Sequence, residues 1–278
     1  MTAPTPTPTP PPPYGYVSPI PVRRAHLGDA LASEWTKIRS VRSTMWTLGT
    51  MVALMLLIGL GVAAVAASEG GTMGEDSALP LGFFGMLPAS ICVITLGVLT
   101  ISSEFGTGMI RTTLTACPSR SRVLTAKAVV FFLLVFTVTL VVAFAVATAQ
   151  VSMVDAAEPT GAEWARATVG AAAFMAVLGL LSMAVGALVR HSAGAITAMI
   201  GVLLLPLVAA LFMMAPALKG IQEALFTYSV PSQMIALYSA EPMLGDSGPA
   251  GWDALFILTG VTAVVLGAAY ALLNNRDV

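Results

Sequence analysis

The sequence predicts an all-α integral membrane protein with six transmembrane helices. Two observations of composition lead to this fold class: 57% of the 278 residues are hydrophobic and only 10% are charged, whereas charged residues make up about a quarter of a soluble domain. A third observation is that the charges separate long uncharged runs. Each run reaches the roughly 20 apolar residues that a helix needs to cross a bilayer.

The six-span domain covers 44–276, and its spans lie between successive charged residues. The predicted spans are, in chain order, 44–67, the run between Asp76 and Glu104, the run from Lys127 to Asp155, the run from Arg166 to Arg190, the run after the turn Arg190-His191-Ser192, and the run between Asp253 and Arg276.

A segment before the last span, about 217–245, is predicted to be re-entrant on the outer side. Its central part, Ile221 to Ala240, is moderately apolar, but Pro231 divides it and Glu223 lies near its start. Two half-helices dipping into the outer leaflet and packed on protein fit this pattern better than a seventh crossing.

The distribution of basic residues predicts the orientation. With six spans and both termini in the cytoplasm, 11 of the 13 Lys and Arg residues fall on the cytoplasmic side. Cytoplasmic loops of membrane proteins carry this excess. The outer side then holds only Arg166 and Lys219.

Residues 1–22 form a Thr-Pro and Pro-Pro tract. Proline fixes φ and has no backbone N–H to donate, so the tract is expected to be extended and solvated. We interpret it as a disordered cytoplasmic tail. A PxxP docking ligand is the alternative.

Residues 23–43 are predicted to form an amphipathic helix in the inner membrane interface. Apolar residues recur at steps of three and four, which places them on one helical face, and basic residues flank a tryptophan. The apolar face comprises Leu27, Leu31, Trp35, Ile38 and Val41, and the interfacial contacts are assigned to Trp35, Lys37, Arg39 and Arg42. A helix packed on a soluble partner is the alternative.

The sequence lacks the motifs that mark several kinds of functional site. The chain contains no GxxxxGK[ST] motif to hold nucleotide phosphates and no HExxH pattern. No charged residue lies in the middle of a proposed span, where ion-coupled carriers usually keep one. We therefore assign no catalytic, cofactor or metal residue and expect the energy for any uphill transport to come from another polypeptide.

Paired glycines in spans 1, 4 and 6 are expected to allow close helix packing: Gly59, Gly61, Gly179, Gly186, Gly260 and Gly267.

The segment from Ile101 to Lys127 is the most informative part of the chain. It is a short polar break between two spans, and it contains one acidic residue and four basic residues. These are Glu104, Arg111, Arg120, Arg122 and Lys127. The basic excess places this loop in the cytoplasm.

Residues 24–276 resemble the permease subunits of ABC-2-type ABC transporters in their actinobacterial form. The resemblance rests on the EWTKIRSVRSTMWTL stretch before the first span, on SSEFGTGMIRTTLTACPSRSRVLTAKAVV after the second span, and on the re-entrant segment before the last. It implies a type V exporter-like fold in the plasma membrane of a bacterium.

The resemblance also implies that the loop at 104–122 contains a short coupling helix, which binds a cytoplasmic ATPase. Gly106 and Gly108 would allow a sharp turn, and Pro118 would end the helix. We expect Glu104 to pair with a base of the interfacial helix. The coupling residues are then Glu104, Phe105, Gly108, Met109, Ile110, Arg111 and Leu114, and the lipid-headgroup anchors are Arg120, Arg122 and Lys127.

The expected function is that of a membrane-spanning exporter subunit. A second permease copy or a relative would complete the translocation path, and a separate ATPase subunit would bind ATP and Mg²⁺. The expected cargo is a drug, an antibiotic or another amphiphilic compound, and nucleic acid is not an expected partner. A non-transporting membrane subunit of an ABC-type sensor or relay complex is one alternative, and a secondary carrier is another.

Overall fold

The computed structural model describes residues 26–68, 77–116, 119–213, 215–239 and 248–275. The Pro-rich tail at 1–22 lies outside these ranges, as does Pro118. The side chains of Ile110, Arg111 and Leu114 are also outside the description, although the backbone there is helical. Within the described ranges the regular structure is helical and contains no strand.

The helices are, in chain order, α1 (Leu27–Ser40), α2 (Arg42–Ser68), α3 (Gly82–Gly106), α4 (Met109–Ala116), α5 (Arg120–Met153), α6 (Gly161–Ala165), α7 (Ala171–Val189), α8 (Ser192–Phe212), α9 (Lys219–Tyr228), α10 (Val230–Ala236) and α11 (Asp253–Asn275). A π-helical turn, Arg166–Gly170, joins α6 to α7.

The described residues contain six helices long and apolar enough to cross a membrane, which confirms the predicted number. These are Arg42–Ser68, Leu79–Gly106, Arg120–Met153, Gly161–Val189, Ser192–Phe212 and Asp253–Leu273. The third begins at Arg120, seven residues before the predicted start at Lys127. Ser119 explains this start, because its Oγ accepts a hydrogen bond from the backbone N–H of Arg122 at 3.4 Å, as an N-cap residue does.

α7 forms the centre of the bundle and packs against α3, α5 and α11. In the span that contains it, 72% of the most apolar window is buried, compared with 17% for α11. α7 and α3 approach closely where Gly179 lies beside Gly97. A Cβ on Gly97 would clash with the backbone carbonyl of Gly179, and a Cβ on Gly179 would lie 2.9 Å from the side chain of Val93, so a larger residue at this crossing would require the neighbouring atoms to shift.

The prediction that the paired glycines permit close packing is confirmed for half of them. A Cβ would lie within 3.0 Å of a neighbouring atom at Gly59, Gly179 and Gly186. A Cβ would meet no atom within 4 Å at Gly61, Gly260 and Gly267, so these three glycines make no close helix contact within the described chain. Their helices turn those positions away from the bundle core.

The two predicted half-helices before the last span are present as α9 and α10. The break lies at Ser229, whose Oγ accepts from the backbone N–H of Ser232 at 3.3 Å. Pro231 falls in the first turn of α10, where its missing N–H leaves no helical hydrogen bond unmade. The depth of α9 and α10 in the membrane stays a prediction.

Candidate functional site

The predicted interfacial helix is α1, which lies against α5 and the start of α2. At its start, the Asp29 carboxylate accepts from the His26 backbone N–H at 3.0 Å. It ends at Val41, whose backbone is extended (φ −87°, ψ 110°). Arg42, predicted to belong to this helix, is instead the first residue of α2.

The side of α1 that packs on the bundle differs from the predicted apolar face. Glu34 and Ile38 are buried, whereas Trp35 and Val41 are each 45% exposed and Leu27 is 44% exposed. The stripe of apolar residues is therefore split. One edge, with Glu34 and Ile38, packs on the bundle, whereas the other edge leaves Trp35 exposed. Contact of Trp35 with a membrane interface remains a prediction.

Four charged side chains meet where α1 crosses the ends of α3 and α5, and we name them the charge cluster: Glu34, Lys37, Glu104 and Lys127. The Lys127 ammonium donates to Glu34 Oε2 and to Glu104 Oε1, both at 2.7 Å. The Lys37 ammonium donates to Glu34 Oε1 at 2.8 Å and to Glu104 Oε1 at 2.9 Å. Each lysine thus bridges both carboxylates, and the cluster joins three helices with no net charge.

The charge cluster is shielded from solvent. The side chains of Lys127, Glu34 and Glu104 are 2%, 6% and 6% exposed, and that of Lys37 is 29% exposed. Buried charges persist only when each is paired and hydrogen-bonded. Burial lowers the pKa of Lys37, but its hydrogen bonds to Glu34 and Glu104 outweigh this, and the pKa is raised above its usual 10.5.

The ion pair predicted between Glu104 and a base of the interfacial helix is confirmed, and the base is Lys37. The prediction that Lys127 anchors the chain at lipid headgroups is wrong. α5 begins at Arg120, so Lys127 lies about 10 Å along the helix. Its ammonium is held between two carboxylates inside the protein.

Sequence reasoning missed Glu34. It lies three residues after Leu31 and four before Ile38, so it belongs to the same helical stripe as these apolar residues. An acidic residue on an apolar stripe needs a basic partner. That pattern could have identified Glu34 as the partner of a base on another helix.

α4 is the short helix predicted in the loop after the second span. Gly108 separates it from α3 with φ +71°, a left-handed conformation that favours glycine. Met109, at the first position of α4, is 46% exposed. The proposed contacts through Ile110, Arg111 and Leu114 lie outside the described side chains.

The remaining basic residues of this end take different positions. Arg120 donates from Nη1 to Leu273 O at 2.8 Å, which ties the start of α5 to the end of α11. Arg122 is half-buried, whereas Arg39 and Arg42 are exposed. Roles for these residues at the membrane surface remain predictions.

Phe105, in the last turn of α3, is half-buried. The guanidinium of Arg190 lies 5.1 Å from the centre of its ring, within the range of a cation–π interaction. Phe105 thus links the end of α3 to the end of α7. It is a structural contact next to α4.

These contacts make a mechanical connection. α4 follows α3 after a two-residue turn, the last turn of α3 carries Glu104, and Glu104 is bonded to α1 and α5 through two lysines. α4 is thus connected, through the last turn of α3 and the charge cluster, to α1 and α5.

Comparison with known protein families identifies the family of this chain. The family model described as ABC-2 family transporter protein matches residues 30–190, which is more than half of the chain and includes most of α1 together with α4 and the charge cluster. A search of the curated proteins found no significant match. Because this family consists of ABC transporter proteins, the match argues against the alternative that the chain is a secondary carrier. The chain belongs to the ABC-2 family of transporter proteins and is a membrane-spanning permease subunit of an ABC transporter.

Proposed function

We propose that the chain is one half of the translocation path of an ABC exporter, and that a separate cytoplasmic ATPase drives it by binding α4. ATP and Mg²⁺ are held by that partner. Both termini face the cytoplasm, and the membrane is the plasma membrane of a bacterium, as the distribution of Lys and Arg and the family resemblance suggest.

The observation that carries the proposal is the position of α4. This helix is eight residues long, follows the left-handed Gly108, and contacts only the ends of α3 and α5 to a substantial extent among the described elements. The charge cluster beside it fixes α3 to α1 and α5. A partner that moves α4 therefore moves α1, α3 and α5 together.

The proposed dimer is supported by the unequal packing of the spans. In α2 and α8, 22% of the most apolar window is buried, and in α11 17%. Their apolar faces remain for lipid and for a second permease. The proposed cargo is a drug, an antibiotic or another amphiphilic compound, which fits a path formed between largely apolar helices.

The test is co-purification from native membranes with a tagged chain, followed by identification of any bound P-loop ATPase. We expect the ATPase to accompany the wild-type protein and to be lost from the double variant Arg111→Asp/Leu114→Asp. The matched control is Gly220→Asp/Ala224→Asp, which places two carboxylates on the short helix α9 at the other end of the bundle. Both control positions are exposed.

Three results are informative. Loss of the ATPase from the α4 variant alone supports coupling through α4, and loss from both variants indicates general misfolding, which a size-exclusion profile would show. If wild type binds no ATPase, the proposed coupling is wrong.

If wild type does bind an ATPase, a transport assay separates the two remaining functions. ATP-dependent movement of an amphiphile into vesicles would indicate an exporter, and its absence would indicate the non-transporting relay.

A further inference from the structure

A cavity of about 400 Å³ adjoins the charge cluster. It lies between α1, the first two turns of α2 and the second half of α3, and Met109 of α4 also lines it. Its volume falls within the range of about 300–1,000 Å³ that is typical of small-molecule sites. The cavity is therefore large enough for the headgroup of an amphiphile.

Lys37 is the most exposed charged side chain on the cavity wall. All four members of the charge cluster line the cavity, but the side chain of Lys37 is 29% exposed, whereas those of the other three are buried. An ammonium group has three N–H donors, and that of Lys37 uses two of them, toward Glu34 Oε1 and Glu104 Oε1. The cluster therefore presents to the cavity a positive group with one unused donor.

Two hydroxyl groups of α2 add further donors to the lining. Ser43 and Thr44 both line the cavity, the first exposed and the second half-buried. The hydroxyl groups of Thr47 and Thr100, also in the lining, donate to carbonyl groups of their own helices at 2.9 and 2.7 Å. Those of Ser43 and Thr44 form no hydrogen bond within the described chain, so their protons remain available to a ligand.

The surroundings of the cavity are basic. Arg39 and Arg42 are exposed and adjoin the lining residues Ser40 and Val41 along the chain, and α2 contains no acidic residue. The distribution of Lys and Arg predicts that this end of the bundle faces the cytoplasm, where basic pockets between membrane helices bind lipid headgroups. An anionic ligand is thus favoured over a cationic one.

The remaining lining is largely apolar. Ile38 and Leu96 are buried, Leu99 is half-buried, and Val41 and Met109 are exposed. A ligand that fits both parts of the lining has an anionic head and an apolar body.

We propose that this cavity binds the phosphate group of a phospholipid from the cytoplasmic leaflet, with the phosphate oxygens accepting hydrogen bonds from Lys37 Nζ and from the hydroxyl groups of Ser43 and Thr44. The apolar part of the lipid lies against Leu96 and Leu99. Inorganic phosphate offers the same oxygens without the apolar part, and the test distinguishes the two sources. The inference goes beyond the proposed function: Met109 is the first residue of α4, so the bound lipid would contact the helix proposed to bind the ATPase.

The test is native mass spectrometry of the purified full-length protein in detergent, titrated with dioleoyl phosphatidic acid. Dioleoylglycerol has the same glycerol and acyl chains without the phosphate and is the comparison. We expect saturable binding of phosphatidic acid and at least about tenfold weaker binding of dioleoylglycerol, since the charge-assisted hydrogen bonds are lost. An excess of inorganic phosphate should leave the lipid bound. Displacement by inorganic phosphate would overturn the lipid as the occupant and assign the site to free phosphate.

Substitution of Lys37 tests the assigned donor. Lys37→Gln should weaken the binding of phosphatidic acid at least about tenfold, and Lys37→Arg, which keeps the charge and the donors, should retain it. Unchanged affinity in a folded Lys37→Gln variant would overturn the assignment.

Lys37 also belongs to the charge cluster, so Lys37→Gln can fail to fold. A second pair of variants avoids this: Leu99→Trp narrows the cavity without altering any charge, and Ile91→Trp places the same side chain on α3 at an exposed position outside the cavity. Loss of binding with Leu99→Trp and its retention with Ile91→Trp supports the site. Equal binding by both variants, or equal binding of phosphatidic acid and dioleoylglycerol by wild type, overturns it.

The measurement requires no ATPase. Binding of phosphatidic acid without a co-purifying ATPase would therefore contradict only the proposed function, and the reverse result would contradict only this site.

Discussion

The polar contacts that join the helices differ between the two ends of the bundle. At one end, α1, α3 and α5 meet around the charge cluster. At the other, α5 is joined to α2 by the fully buried Gln150, whose Nε2 donates to Gly59 O at 3.1 Å. Gln150 Oε1 has no hydrogen-bond partner among the described residues.

The difference shows how the cost of losing a contact depends on charge. In the charge cluster each group is tolerated only because its partners neutralise it, so the loss of one member leaves an uncompensated charge among the buried groups that remain. The neutral amide contributes a single hydrogen bond and keeps one acceptor unsatisfied, so its removal costs little. We therefore expect the end that contains α4 to be more sensitive to substitution than the other end.

The largest effect is expected for Lys127→Met, which keeps the length of the side chain and removes its charge. Glu34 and Glu104 would then face each other with only the partly exposed Lys37 between them. We expect the free energy of unfolding to fall by about 3–5 kcal/mol. Thermal unfolding in detergent measures the change.

The control for that substitution is Lys219→Met. Lys219 lies 3.6 Å from Glu223, and its side chain is 76% exposed, so removal of the pair should alter the free energy of unfolding by less than about 1 kcal/mol. Equal unfolding temperatures for the two variants would show that the buried cluster does not stabilise the protein.

The second prediction concerns coupling within the charge cluster. Glu34→Gln combined with Lys127→Met removes one charge of each sign, so the double variant should be less destabilised than the sum of the single variants. The expected difference is about 1–3 kcal/mol, from a double-mutant cycle of unfolding free energies. Strict additivity would mean that the two groups do not interact in solution.

A smaller effect is expected for Gln150→Leu at the neutral end. The variant loses the hydrogen bond to Gly59 O and also removes the unsatisfied Oε1. The net change in the free energy of unfolding should be about 1 kcal/mol or less. A loss as large as that of Lys127→Met would remove the contrast between the two ends.

The smallest effect is the pH dependence of the contribution of Lys37. Because the pKa of Lys37 is raised in the folded protein, its contribution to stability is fully present below the usual value of 10.5 and is lost as the pH rises through the higher folded value. The difference in unfolding free energy between wild type and Lys37→Met should therefore stay constant from about pH 7 to about pH 9. A difference that shrinks within this range would contradict the pairing of Lys37 with Glu34 and Glu104.

Parts of the candidate site could be predicted because they depend on local chemistry. Gly106 and Gly108 predicted a sharp turn at the end of the second span, and the family resemblance implied the short helix that follows it. Glu104 lies at the end of an apolar span, where an acid needs a nearby base. The burial of Lys127 could not be predicted in the same way, because the sequence places it at the edge of an uncharged run, as it does for a residue at the lipid headgroups.

The sequence by itself determined that this is a helical membrane protein with six spans and two short helices before the last, whereas the short helix after the second span was expected from the family resemblance. Length, apolar composition and the positions of charge, Gly and Pro are sufficient for this, since a bilayer requires each span to satisfy its own backbone. The tertiary structure decided which residues lie inside. Gly179 and Gly267 occur in similar apolar runs, and only the packing of α7 against α3 and α5 brings side chains of neighbouring helices close to the first. Likewise, only the crossing of α1 over α3 and α5 brings Glu34 and Lys127, 93 residues apart, into one ion pair.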